Sequence, residues 1–167
     1  MAKTGTPKSV GYLRYVDPTA SIGYLTRIAF RSFSRAMERR TLPFGVTGGQ
    51  WRFLRQLWVE DGLTQRELSR RVGMREPTTV TAVNSLVRSG FVDRAPSQVD
   101  RRKVHIRLTA RAKALQAELL PQVAEVNALA TQGIDPADLA NFRKVLVQIN
   151  ANLAAEADKP LAQSDEA

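Results

Sequence analysis

Apolar positions recur along most of this chain with the three-and-four spacing of helices, and only one short stretch alternates as a strand does. Asp17-Pro18 can open a helix, with the aspartate as cap and the proline in the first turn. Ile22, Leu25, Ile28, Ala29, Phe33 and Met37 then form one stripe, predicting a helix over 18–40. Arg27, Arg31, Arg35 and Arg39 make a basic line at four-residue intervals on its other side. Pro43 and Gly45 break the pattern. Thr47 and Gln50 stand at capping-box spacing before Trp51, Phe53, Leu54, Leu57 and Trp58, predicting a helix over 48–60 that Gly62 ends. Thr64 and Glu67 repeat the box ahead of a short helix over 65–72, which Gly73 stops.

Glu76-Pro77 opens the next helix, running to about 89, with Val80, Val83, Leu86 and Val87 expected inward. Its expected outer surface is Thr78, Thr79, Thr81, Ala82, Asn84, Ser85 and Arg88. Small hydroxyls and methyl groups flanked by arginine suit the floor of a DNA major groove. Phe91 to Arg94 reads as a strand, and Val104, Ile106 and Leu108 alternate with His105 and Arg107 as a second. The link between them carries Pro96, Asp100, Arg101, Arg102 and Lys103, so the pair predicts a hairpin with a basic tip. A long helix over 110–130 follows, with Pro121 expected to kink it. Asp135 and Pro136 open a last helix, where Leu139, Phe142, Leu146, Ile149 and Leu153 form a heptad-like seam in need of a partner face.

The fold class expected is mainly α with a small β wing: a winged helix-turn-helix domain plus a helical dimerisation region. The expected division is an N-terminal arm (1–17), a helical region (18–45 and 110–156), a winged domain (46–109) and a flexible tail (157–167).

Charge sharpens this picture. Among 167 residues, 25 are Lys or Arg against 16 Asp or Glu, a net charge of +9. The balance is about +8 across 64–113 and about −5 across 114–167, which places the electropositive surface where the predicted helix-turn-helix lies. The absence of cysteine excludes a disulfide framework, a thiolate metal site and a cysteine nucleophile. One histidine, His105, excludes multi-histidine zinc sites and reads as structural. No run is long enough to span a membrane, and no secretory leader is legible at the start, so a cytoplasmic protein is expected. Neither paired carboxylates, a nucleophile elbow nor a phosphate loop marks an enzyme, and no cofactor or metal is expected.

The segments VTGGQWRFLRQL, LTQRELSRRVGMREPTTVTAVNSLVRSGFVDR and DRRKVHIRLTARAKAL together resemble the MarR family of bacterial transcription regulators. The last of them carries a wing motif, here Asp100 and Arg102 followed by Leu108 and Thr109, and the likeness spans about 20–155. The resemblance implies a homodimer whose first and last two helices interlock, two winged domains on a palindromic duplex, and a wing ordered by an Asp100–Arg102 pair. It also implies a small aromatic effector, for which Phe30, Phe33, Phe44, Trp51, Phe53 and Trp58 are the candidate crevice. The expected DNA contacts are Arg75, Thr78, Thr79, Thr81, Asn84, Ser85 and Arg88 in the major groove and Arg94, Arg101, Arg102 and Lys103 at the wing, with Arg101 inserted in the minor groove. The expected function is a sequence-specific DNA-binding regulator, a dimeric repressor released by ligand; the alternative is an architectural or weakly specific DNA-binding protein without an effector.

Overall fold

A computed structural model describes residues 17–97 and 103–157. The arm before Asp17, the hairpin tip with Asp100, Arg101 and Arg102, and the tail after Ala157 lie outside the described residues. In chain order the elements are α1 (Ile22–Thr41), α2 (Gly48–Val59), β1 (Leu63–Thr64), α3 (Gln65–Val72), α4 (Glu76–Arg88), β2 (Val92–Pro96), β3 (Val104–Leu108), α5 (Ala110–Ala130) and α6 (Pro136–Ala157). The chain divides into two compact units, Met1–Val126 and Asn127–Ala167. The fold is mostly helical with a small antiparallel β wing, as the sequence pattern predicts.

Local chemistry sets most of the boundaries. Both capping boxes form: Gln50 N donates to Thr47 Oγ1 while Thr47 N donates to Gln50 Oε1, and Thr64 and Glu67 do the same at α3. These reciprocal bonds satisfy amides that the first helical turn leaves without partners. Gly73 takes φ +68° at the end of α3, a left-handed position that a side chain would strain. The opening helix differs from expectation. Asp17 caps only a 3-10 turn, Pro18–Ala20, and Ser21 starts α1 by accepting a bond from Tyr24 N at 3.3 Å.

The sheet has the order β1-β3-β2, all antiparallel. β1 pairs Leu63 with Ile106 and Thr64 with His105; two residues carry no readable period, so the sequence pattern passes over it. β2 runs two residues further than expected, and Pro96, assigned to the link, is its last residue, opposite Val104.

One core serves the first unit. Phe53, Leu54 and Leu57 of α2, Leu68 of α3, Val83 and Leu86 of α4, Phe91 and Val92 at the start of the hairpin, and Ile106 of β3 are essentially inaccessible. Ala112, Leu115, Leu119 and Val126 bring α5 onto it. Pro121 lies within α5, which continues as one helix through it.

The terminal helices behave differently. Of the apolar stripe on α1, only Met37 is buried; Ile22, Leu25, Ile28 and Phe33 stand 37–63% exposed in the single chain. On α6, Phe142 is 56% and Leu153 63% exposed, while Leu139, Leu146 and Ile149 are half-buried. Among the described residues, no helix is long and apolar enough to cross a membrane.

Candidate nucleic-acid interface

α4 presents its residues in a slightly different rotation from the one the sequence suggested. Val83 and Leu86 are buried, but the core position of the N-terminal turn is Thr79, fully inaccessible, and not Val80, which is 38% exposed. Positions 79, 83 and 86 are spaced four and three apart and share one face, whereas 80 lies about 100° round the helix. The interior tolerates this threonine because its hydroxyl donates to Arg75 O at 3.3 Å. Thr79 is thereby corrected from an outward reader to a core residue, and Val80 from core to surface.

The remaining expected readers divide into two groups. Arg75, Thr78, Thr81 and Arg88 are exposed; Thr81 Oγ1 donates to Pro77 O at 3.3 Å. Asn84 and Ser85 are half-buried and already engaged. Asn84 Oδ1 accepts from Arg94 Nη2 at 2.6 Å, which ties the middle of α4 to β2 of the wing. Ser85 Oγ accepts from Gln50 Nε2 at 3.0 Å, so this hydroxyl serves the packing of α2 on α4. Lys103, immediately before β3, is exposed.

Two residues that position this surface escaped the sequence reading. Gln50 is buried, and beyond its part in the capping box its Nε2 reaches Ser89 Oγ at 2.9 Å as well as Ser85. It therefore fixes the C-terminal half of α4 against α2. Asp61 accepts Leu108 N at 2.8 Å on one carboxylate oxygen and pairs with Lys113 Nζ at 3.1 Å on the other. Their partners are 35 to 52 positions away, beyond any local pattern. His105 is structural in the same sense: Nδ1–H donates to Gly62 O at 2.7 Å. Thr109 caps α5 by accepting from Ala112 N at 3.2 Å, while its hydroxyl donates to Gly90 O at 2.9 Å. The wing is thus bolted at both roots. Glu67 is held below the usual carboxylate range, first by the Thr64 hydroxyl and then by Thr64 N–H.

The aromatic residues do not gather into one crevice lining. Phe53 is core, and Trp51 and Trp58 meet edge to face with ring centroids 5.5 Å apart. Trp58 Nε1 donates to Ala112 O at 2.9 Å. Phe30 and Phe33 are exposed, Phe44 half-buried, and the Arg52 guanidinium lies 5.2 Å above the Phe30 ring. A cavity of about 460 Å³ opens between the N-terminal half of α2 and α4, lined in part by Thr47, Arg52, Phe53, Met74, Thr78 and Thr81. Phe53 alone of the six aromatic candidates borders it.

A short helix-turn-helix, α3 and α4, backed by a three-stranded antiparallel sheet defines a winged helix-turn-helix protein. The MarR family model matches residues 44–103, the stretch from just ahead of α2 to just ahead of β3. The solved transcriptional regulator PA3341 is similar over 81% of this chain and 99% of its own, with 33% identity and a TM-score of 0.73. A MarR transcriptional regulator from Methanosarcina mazei Go1 shows 25% identity over 79% of this chain and 97% of its own, with a TM-score of 0.72. A MarR family regulator from Listeria monocytogenes, solved with a 26mer DNA, shares the fold at a TM-score of 0.76, with 16% identity over 81% of this chain and 91% of its own. The chain belongs to the MarR family and is a DNA-binding transcriptional regulator.

Proposed function

We propose that the protein is a homodimeric, sequence-specific repressor that binds a palindromic duplex and is released by a small aromatic molecule. In this reading residues 46–109 read DNA, while 18–45 and 110–156 join two subunits. The observation that carries it is the pairing of an exposed Thr78, Thr81, Arg75 and Arg88 face on α4 with apolar stripes on α1 and α6 that a single chain leaves open to water. Exposed leucines and phenylalanines in such a run mark an association surface.

On the duplex, Thr78 and Thr81 meet base edges and thymine methyls, and Arg75 and Arg88 hold phosphates. Arg94, with Asn84 clasped to it, and Lys103 serve the backbone beside the wing, while Arg101 enters the minor groove and Arg102 pairs with Asp100. Two-fold symmetry then sets half-sites about one helical turn apart, roughly 34 Å. The effector occupies the cavity between α2 and α4, whose volume falls in the range of small-molecule sites. Because Thr78 and Thr81 border it, a bound ligand competes with base contacts directly. The alternative, weakly specific architectural binding, draws support from the arginine line on α1.

Selection from randomised duplex followed by footprinting at fixed salt tests this. A palindromic sequence enriched well above random duplex, with protection weakened and flank preference altered by Arg101→Ala, is expected. Equal affinity for selected and random duplex contradicts specific repression and favours the architectural reading.

A further inference from the structure

α1 has three faces. Met37 and Thr41 enter the core, and Ile22, Leu25 and Phe33 form the apolar stripe assigned above to a second copy. The third face carries Arg27, Arg31, Arg35 and Arg39, all exposed. Four-residue steps turn the helix by about 40° each, so the line stays on one side and covers about 18 Å. Among the described residues, no carboxylate lies within ion-pair distance of any of the four. Glu38, the helix's sole acid, turns toward Gly48 N at 3.4 Å instead. Like charges four apart repel across a helix surface, so this row is unfavourable until a polyanion meets it.

The choice of polyanion follows from what adjoins the row. Arg52 sits over Phe30 of α1 and also borders the cavity that Thr78 and Thr81 of α4 line. Arg52 therefore stands as a cation between the α4 side of this cavity and α1, the helix that carries the arginine row. A duplex strand presents one phosphate about every 3.4 Å of axis, so 18 Å matches about five of them, and guanidinium forks suit phosphate oxygens. A lipid surface fits less well, since it requires the apolar stripe that the second copy covers.

We propose that the arginine face of α1 binds the sugar–phosphate backbone of DNA flanking the bases read by α4, extending the contact beyond the recognised site. The inference rests on α4 as the reading helix, and its test separates the two. A duplex trimmed to the selected site and one extended by about 15 base pairs on either side are titrated across salt with the wild type and an Arg31→Ala/Arg35→Ala/Arg39→Ala variant. The wild type binds the extended duplex more tightly, and its log–log salt slope steepens by about 3.6 per subunit, four phosphates at about 0.9 each. The variant matches the wild type on the trimmed duplex and keeps only the Arg27 share of the flank gain, a steepening of about 0.9 per subunit. The corresponding triple lysine variant, which keeps the charge, recovers the flank gain and rules out misfolding. Equal slopes on both duplexes for the wild type overturn the proposal. So does a loss in the variant that is equal on trimmed and extended duplex, or wild-type bridging of two labelled duplexes, which would assign the row to a second DNA molecule. A Thr78→Ala/Thr81→Ala variant that keeps full sequence discrimination defeats the α4 reading alone, since the flank gain is still read on random-sequence duplex.

Discussion

Replacing Gln50 by leucine removes the polar link between α2 and α4 while keeping the side chain's bulk. The carboxamide is buried and makes three good bonds: from Thr47 N at 3.0 Å, to Ser85 Oγ at 3.0 Å and to Ser89 Oγ at 2.9 Å. The 3.4 Å approach to Ser85 O shares a proton with these and adds little. At about 1 kcal/mol net for each bond the loss is about 3 kcal/mol, and leucine's gain in apolar burial returns about 1 kcal/mol. A net destabilisation of about 2 kcal/mol lowers Tm by about 4–8 °C in a chain of this size. Thermal unfolding followed by circular dichroism measures it. A double-mutant cycle with Ser89→Ala should show coupling of about 0.5–1.5 kcal/mol, because the two residues share a bond. DNA affinity should fall in the same variant at temperatures where it is fully folded, since the C-terminal half of α4 loses its brace. A Tm within about 1 °C of wild type and no coupling would refute the reasoning.

Three further outcomes follow from the geometry. Thr79→Val should leave DNA affinity within about twofold, because its side chain is core and only one hydroxyl bond to its own helix is lost, about 1 kcal/mol of stability; a large loss of affinity would restore it to the reading surface. Glu67→Gln should flatten the acid limb of the stability curve. The folded carboxyl is depressed, so its contribution is complete above the ordinary glutamate value and disappears as pH falls through the lowered one; urea titrations of both proteins in that acidic window read the difference. Leu25→Glu, which places a charge in the exposed stripe of α1, should shift the sedimentation of the proposed dimer toward a single chain without unfolding the first unit, whose core Leu25 does not enter.

Local signals explain what could be read from the sequence. Thr47 with Gln50 and Thr64 with Glu67 announce helix starts because a capping box lies within four residues, and Gly73 announces a stop because only glycine rests easily at its φ. The alternation of Ile106 and Leu108 with His105 and Arg107 gave β3 its bounds. The rotation of α4 was harder: Thr79 and Val80 are near-isosteric neighbours, and a core threonine is recognisable only once its hydroxyl is seen to bond Arg75 O. Gln50 and Asp61 act through partners far along the chain, and a two-residue strand such as β1 exists only through its pairing with β3. On α1 the periodicity revealed an apolar stripe but not what covers it, because periodicity measures amphipathicity and is silent on the partner.

The measurement that bears most directly on α4 as the reading helix is the ratio of affinities for the selected palindrome and for random duplex, taken at matched salt for the wild type and for Thr78→Ala/Thr81→Ala. The ratio should collapse toward one in the double variant while affinity for random duplex holds, because base contacts go and phosphate contacts stay. An unchanged ratio would contradict the assignment.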